Sequence, residues 1–395
     1  MEFLGYQRYD GRVGIRNLIL VFAVVECVEG IARKVAEQVK SAVPVTQHYS
    51  CLHLGNEQVV NTMVGIAENP NITGVILIGM GCEALQPEIF SERLSGSGKP
   101  VEILSVREIG GVARTVKRGV KIARNMEDKI GTLKREPFAF DRLLAAVKCG
   151  GSDATSGLAA NASLGVAVDR LIEEGASVIF TEPIEAIGGE EELYQRAANE
   201  AIRKRIEKVI FNEEKYWKMP GARMEFMCKG NIDGGLSSIE EKSLGALHKT
   251  GTMPIVGVLE NSAQKCERPT APGVYFQDGT HLDAQAVTHL AAAGAQILVF
   301  TTGVGASLEG LIIPTIRVCG NPASFAKMQA DMDINAGTII EGRESIEEIG
   351  SKIFREIIEV ASGKKTKLEG LVPGVFDIYR PDPRLDILAR ISRRL

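Results

Sequence analysis

Residues 143–185 read LLAAVKCGGSDATSGLAANASLGVAVDRLIEEGASVIFTEPIE, and the order of patterns within them decides the fold. An apolar run (143–147) stops at Lys148-Cys149-Gly150-Gly151, a segment with helical spacing follows (156–173), and a second apolar run (176–180) stops at Thr181-Glu182. Continuous apolar strands separated by helix-length segments belong to parallel sheets covered on both faces. The pattern recurs outward. Further apolar runs lie at 18–25, 74–79, 101–104, 254–258, 296–301 and 314–318, and helical periodicity at 30–41, 57–67, 108–130, 190–210, 238–248, 283–293 and 344–361. The fold class is therefore α/β, a mostly parallel sheet with helices on both faces. A charged stretch at 126–141 separates a smaller N-terminal α/β domain (1–135) from a larger C-terminal domain (140–395). The stretch 261–282 reads as a long irregular loop, the kind that is functional or mobile inside a compact domain.

The 395 residues carry 46 Lys+Arg against 50 Asp+Glu, with 45% hydrophobic and 24% charged residues, an ordinary globular balance. There is no basic stripe and aromatics are only 5%, which argues against a nucleic-acid partner. The apolar runs are too short to span a bilayer, and the N-terminus lacks a signal-peptide layout, so the expected location is the cytoplasm. Seven cysteines with no CxxC spacing argue against a disulfide framework and a zinc ribbon.

Chemistry-bearing residues collect where strands end. The loops are His48-Tyr49-Ser50-Cys51, Gly79-Met80-Gly81-Cys82-Glu83, Lys148-Cys149-Gly150-Gly151-Ser152-Asp153, and Thr181-Glu182-Pro183-Ile184-Glu185. Open parallel sheets bind ligands beyond the carboxyl ends of their strands. Thiols with an imidazole suit iron, zinc or an iron–sulfur centre better than magnesium. Cys27, Cys228 and Cys266 read instead as packing residues, the commoner fate of a cysteine. KCGGSD opening a helix would aim free backbone N–H groups at an anion such as a carboxylate. Walker A, GxGxxG and GxSxG spacings are absent.

The blocks GYQRYDGRVGIRN (5–17), GMGCE (79–83), KCGGSDATSGLAANASLG (148–165), FTEPIEAIGGEEEL (180–193), GNIDGGLSSIEEKSLGA (230–246), AAGAQILVFTTG (292–303) and DMDINAG (331–337) resemble the altronate/galactarate dehydratase family over nearly the whole chain. The resemblance implies a variant Rossmann-like sheet after a smaller domain that helps form a homodimer, and a hydro-lyase acting on a sugar acid. Its usual activator is iron(II); a [4Fe–4S] cluster or another divalent metal is the alternative. A sister branch, the (2R)-sulfolactate sulfo-lyase large subunit, expels sulfite instead of water. Full-length members carry a small β-clip (SAF-like) domain ahead of the first block, so a separate small chain of roughly 100 residues is an expected partner.

On that resemblance the metal ligands are expected among His48, Cys51, Cys82, Glu83 and Cys149. Lys148, Glu182, Glu185 and His48 are the candidate acids and bases. The substrate is expected against Gly150, Gly151, Ser152, Asp153, Ser156 and Asn161, then Asn231, Gly234 and Gly235, then Thr301 and Thr302. Three loops depart from the family pattern. Ser50-Cys51-Leu52 replaces Gly-Cys-Gly, Val304-Gly305 replaces Arg-Gly, and Phe276-Gln277-Asp278-Gly279 replaces Met-Asp-Thr-Pro-Gly. They leave open a sulfolactate substrate, a non-catalytic sugar-acid-binding paralogue and a purely structural subunit.

Overall fold

The computed structural model describes residues 1–47, 51, 57–218, 227–260 and 266–378. The chain opens on β1 (Glu2–Gln7), paired antiparallel with the short β2 (Val13–Gly14). Four strands then form a parallel sheet in the order β4-β3-β5-β6: β3 (Leu18–Ala23), β4 (Ala42–Thr46), β5 (Ile72–Gly79) and β6 (Val101–Ser105). Successive side chains on a strand point to opposite faces, and here both faces are apolar. Ile19, Val21, Ile76 and Ile78 pack on the helices Glu29–Ala36 and Val112–Ile130. Leu20, Phe22, Val75 and Leu77 face the helices Glu57–Glu68 and Pro87–Leu94.

β7 (Glu136–Ala139) returns to pair antiparallel with β1, so part of the charged 126–141 stretch is a strand. Phe3 on β1 lies opposite Phe138 and packs edge-on to Phe140, which stacks on Phe354. The first strand of the chain is thereby anchored in the core of the large C-terminal sheet.

That sheet has seven parallel strands: β8 (Leu144–Cys149), β9 (Ser177–Phe180), β10 (Ile255–Leu259), β11 (Gly273–Gln277), β12 (Ile297–Thr302), β13 (Thr315–Cys319) and β14 (Ile334–Asn335). Their order is β10-β11-β9-β8-β12-β13-β14, so the chain works outward from β8 on one side and resumes on the other at β12. A crevice outside the carboxyl ends of the strands at such a reversal is where open sheets bind ligands. Ala145, Val147, Val178 and Val299 face the helices Ala162–Glu173 and Ile346–Ala361. Ala146, Ile179, Leu298 and Phe300 face the helix Asp283–Ala292, and that helix packs on Glu57–Glu68 of the smaller domain.

Two buried asparagines fix how the sheets meet. Asn69 Nδ2 donates to the carbonyls of Ala291 and Ala295, and Asn71 Nδ2 to those of Gln296 and Ile312, at 2.8–3.0 Å. These bonds tie the start of β5 to the starts of β12 and β13. Strand beginnings of both sheets therefore meet at this junction. Among the described residues, no helix is long and apolar enough to cross a membrane.

Three sequence expectations are corrected. The 261–282 stretch is not wholly irregular: β11, buried along its length, lies inside it between β10 and β9. Five residues between Pro272 and Asp278-Gly279 are too few to show a period. The expected helix 108–130 breaks at Gly110–Gly111, both at positive φ, and 190–210 breaks into Glu190–Gln195 and Glu200–Trp217.

Glycines permit the closest approach behind the large sheet. A Cβ on Gly165 would sit 2.3 Å from the carbonyl oxygen of His248, a backbone atom that cannot rotate away. Gly165→Ala is expected to cost roughly 1–3 kcal/mol, the usual range for overpacking, as a lowered denaturation midpoint. An unchanged midpoint would show that the turn His248–Thr250 is free to retreat.

Candidate active site

β8 delivers Lys148 and Cys149 to its carboxyl end, each 1% exposed. The neighbouring β9 delivers Thr181 and Glu182, followed by a 3-10 turn at Pro183–Ala186 that carries Glu185. Glu182 has φ +78°, the one non-glycine residue at positive φ among the described residues. Backbone in that region costs on the order of 1–3 kcal/mol and persists where the surroundings enforce it, most often at functional sites. The enforcing contact is a buried ion pair: Lys148 Nζ donates to Glu182 Oε1 at 2.7 Å and also to Asp283 Oδ1. Asp283 opens the helix Asp283–Ala292 and is half exposed.

Two more lysines complete the network. Lys242, on the helix Ile239–Leu247, donates to Glu185 Oε1 at 2.6 Å, and Lys249, in the next turn, donates to Glu185 Oε2 at 2.8 Å. The Cys149 thiol donates to Glu185 Oε2 at 3.1 Å and lies 3.4 Å from Lys249 Nζ. Three ammonium groups thus face three carboxylates, with a thiol between them. Buried charges persist only when paired in this way.

The electrostatics separate the two glutamates. Burial, and then the charge of Glu185, push the Glu182 carboxyl up to about 7. Burial would raise Glu185 as well, but Lys242, Lys249 and Lys148 outweigh it and hold Glu185 well below the ordinary carboxylate range. Burial, reinforced by Glu185, pushes the Cys149 thiol up to about 12, so it remains protonated at neutral pH. Burial opposes the charge on Lys148, yet Glu182, Asp283 and Glu185 hold that ammonium above its usual value. Glu182 Oε2 is buried and accepts no hydrogen bond among the described residues, which leaves a lone pair for a proton.

Cys149, Glu182 and Glu185 offer ligand atoms within 4.8 Å of one another and could hold a metal ion. The donor set is poorly matched to one in charge. Both Glu185 oxygens and one Glu182 oxygen are already taken by ammonium groups, and the Cys149 thiol is held protonated. A divalent cation would have to displace lysines that balance the site.

A cavity of about 270 Å³ opens beside the network, lined by Ser152, Asp153, Ser156, Asn161, Lys242 and His248 among others. Larger cavities, of about 400 and 440 Å³, lie against Leu18, Ala42 and Pro314 and against Leu144, Ser177 and Gln296. Those residues sit at strand beginnings, the end opposite the titratable groups.

Several expected substrate residues are engaged in holding the loops. Asp153 Oδ1 accepts from Thr155 Oγ1 and from the Ser156 amide, and its Oδ2 accepts from Asn321 Nδ2. The Ala154 amide donates to Gly234 O, so the turn expected to offer free amides to an anion has these two occupied. Asn231 Nδ2 donates to Ser152 O, Asn161 Oδ1 accepts from Thr301 Oγ1, and Thr302 Oγ1 accepts from the Gly305 amide. Gly151 takes φ +60° where its carbonyl receives the amides of Gly303 and Val304. Gly150 packs over Phe300, where a Cβ would meet the ring at 2.6 Å, and a Cβ on Gly234 would meet Asp153 at 2.5 Å. Gly235, also at positive φ, has open space around it. Ser152 Oγ has no hydrogen-bond partner among the described residues.

The expected metal ligands fall into two places. Cys149 joins Glu182 and Glu185 on the large sheet. Cys82 and Glu83 follow β5 of the smaller sheet, and Cys51 follows β4. Glu83 Oε2 accepts the amides of Met80, Gly81 and Cys82 and so closes its own loop. His48 lies outside the described residues. Sequence reasoning passed over Lys242, Lys249 and Asp283. The one signal was the spacing of the two lysines, seven residues or about two helical turns, which puts them on one face.

Comparison with known proteins agrees with this architecture. Residues 5–131 match the profile described as D-galactarate dehydratase/altronate hydrolase, second domain, and residues 140–381 that described as D-galactarate/altronate dehydratase, C-terminal. The (2R)-sulfolactate sulfo-lyase subunit beta of Chromohalobacter salexigens is 33% identical over 93% of this chain and 95% of its own length. Altronate dehydratase of Bacillus subtilis is 32% identical over 92% of this chain and 74% of its own length. Galactarate dehydratase (L-threo-forming) of Escherichia coli is 34% identical over 92% and 73%. With both profiles matched in order and relatives aligned across both sheets, the chain belongs to the D-galactarate/altronate dehydratase family.

Proposed function

We propose that the chain is a lyase that dehydrates a sugar acid, an altronate-like aldonate or an aldarate, to a 2-keto-3-deoxy acid. The observation that carries this reading is Glu182: a buried carboxylate with a free Oε2, a pKa near neutrality and an ammonium group 2.7 Å from its other oxygen. A general base works best when its pKa lies near the working pH. Glu182 Oε2 takes the proton at C2 of the bound acid. The negative charge that develops on the substrate carboxylate is met by the cationic side chains, of which Lys242 reaches the cavity wall. A lysine Nζ gives its proton to the C3 hydroxyl, which leaves as water. The resulting enol ketonises. The metal dependence that the family resemblance implies is given no step here, because the Cys149, Glu182 and Glu185 donors are already engaged by lysines or held protonated.

A sulfo-lyase is the second reading, favoured by one observation. The chain spans 95% of the sulfo-lyase subunit but about three quarters of the two dehydratases. The chemistry at C2 is the same, with sulfite leaving in place of water. That relative is named as a subunit beta, so a second chain is part of this reading.

The test is an anaerobic assay on aldonates, aldarates and sulfolactate, with and without a candidate small chain, reading 2-keto acid and sulfite separately. Formation of neither product under any condition would sink both readings. A pH profile tests the base itself. Glu182 must be deprotonated to act, so kcat/KM is expected to fall about tenfold per unit as pH drops below about 7. A profile flat through that region removes Glu182 from the role.

A further inference from the structure

The cavity of about 440 Å³ lies at the beginnings of β8, β9 and β12, the end of the large sheet opposite Lys148 and Glu182. Three arginines on separate segments line it. Arg12 comes from the turn between β1 and β2, Arg142 from the turn before β8, and Arg268 from the segment before β11. Gln296 holds two of these segments side by side, since its Nε2 donates to Val13 O and, at 3.0 Å, to Arg142 O. Gly294, at φ +99°, stands against the third, where a Cβ would lie 4.0 Å from Arg268 Nε.

Each guanidinium is only partly engaged. Arg12 gives Nε and Nη2 to Asp10 Oδ2, while its Nη1 is buried without a hydrogen-bond partner among the described residues. Arg268 gives Nη2 to Glu68 Oε2 at 2.6 Å, and its Nε is buried and likewise unpartnered. Arg142 is half exposed; its Nη1 donates to Gly11 O at 3.3 Å, and its Nε stands 3.7 Å from Asp141, an exposed carboxylate on the same wall. A buried charged donor without an acceptor is costly, and native structures hold few of them. Two on one cavity wall point to an acceptor from outside the chain. Close by, the Lys99 ammonium donates to Ala67 O and Asn69 O, and burial, then Arg12 and Arg8, hold it well below its ordinary pKa. The arginines outweigh Asp10 at that point.

We propose that this cavity binds a small phosphate monoester, at a site separate from the catalytic crevice. Guanidinium groups match phosphate in charge and in donor geometry. A phosphate monoester presents three terminal oxygens and about two negative charges at neutral pH, one oxygen for each arginine, whereas a carboxylate offers two oxygens and one charge. The volume falls in the range of small-molecule sites. Leu143, Leu144 and Pro269 leave an apolar wall for the organic body. Arg12 belongs to the first matched domain and Arg142 and Arg268 to the second, so the occupant ties the two together beside the junction that Asn69 and Asn71 hold. None of this depends on the reaction proposed above, and its readout is binding, not turnover.

The test is isothermal titration calorimetry of the whole chain with glycerol phosphate, inorganic phosphate and malonate, with thermal melts alongside. Glycerol phosphate is expected to bind at one site per chain, more tightly than the other two, and to raise the melting midpoint as a ligand of the folded state does. Arg142→Gln and Arg268→Gln are each expected to weaken it about 10–100-fold, the worth of one hydrogen bond between charged groups. Arg142 is half exposed, so its variant is expected to melt as the wild type does. Lys242→Met, on the catalytic side, is expected to leave the affinity unchanged. No binding of either phosphate at millimolar concentration would overturn the proposal. So would malonate binding more tightly than both, or binding lost in Lys242→Met and kept in the two arginine variants. Inorganic phosphate binding as tightly as the monoester would overturn the place given to the organic body.

Discussion

Glu182→Gln is expected to lower kcat by about 10²–10⁴-fold, the range that a positioned general base contributes, while the denaturation midpoint barely moves. The substitution keeps size and shape, and the amide oxygen still accepts from Lys148 Nζ in the place of Oε1. The positive φ is retained too, since glutamine and glutamate meet the same steric cost there. What disappears is the basic lone pair on Oε2. Burial raises the Glu182 pKa, so the charged form is already disfavoured in the folded protein, and removing it takes away no large stabilising term. Stopped-flow or steady-state assays on whichever acid the wild type turns over, with a urea titration alongside, read both quantities. A rate within threefold of wild type would return Glu182 to a structural role. A rate loss matched by an equally large loss of stability would mean that the pair with Lys148 is a fold element first.

Much of the architecture was legible because parallel strands buried on both faces announce themselves as uninterrupted apolar runs. Eight such runs, 18–25 through 314–318, coincide with strands to within a few residues. What stayed hidden was short or context-bound. Residues 136–139 contain one charge, one proline and two apolar residues and read as linker, yet they pair with β1 because Phe138 meets Phe3 across the ladder. β11 is equally short, and only its neighbours on both sides make it a central strand. The breaks at Gly110–Gly111 and at 196–199 depend on local turns that a helical period averages away.

The site divides in the same way. Lys148, Cys149, Glu182 and Glu185 were legible because each sits just past an apolar run, where a parallel sheet presents side chains to ligand. Lys242 and Lys249 were not, since lysines in a helical pattern ordinarily belong to a solvated face. Burial of Lys249 depends on Gly165, whose missing side chain lets the turn His248–Thr250 close on the sheet. Asp283 opens a helix and reads as a charge complementing its dipole, until Lys148 is found bonded to it. Asp153, Asn161, Asn231, Thr301 and Thr302 were marked by their motif. Their hydrogen bonds run to one another's loops, so in this structure they set the shape of the crevice.

The largest stability effect is expected at Lys249. Its ammonium is 1% exposed and bridges Glu185 Oε2 and Cys149 Sγ from the turn behind β8. Lys249→Met conserves volume but leaves Glu185 buried with Lys242 as its remaining direct ammonium partner. Breaking a buried pair by removing one partner typically costs about 3–5 kcal/mol, because the remaining charge is uncompensated. Replacing both partners with neutral groups is often close to neutral. The double variant Lys249→Met/Glu185→Gln is therefore expected to recover much of the loss. Lys242 limits that recovery, since it would now face an amide. The pH dependence separates this account from simple repacking. Glu185 titrates well below its ordinary range in the folded state, so its pairing contributes stability above the unfolded carboxylate pKa and loses it as pH falls through the folded value. Lys249→Met should then narrow its gap to wild type in acid, where wild-type Glu185 begins to protonate. Urea titrations of the two single variants and the double, at neutral and acid pH, complete the cycle. Equal losses in Lys249→Met and in the double variant, unchanged by pH, would show that the methylene stem of Lys249 matters and its charge does not.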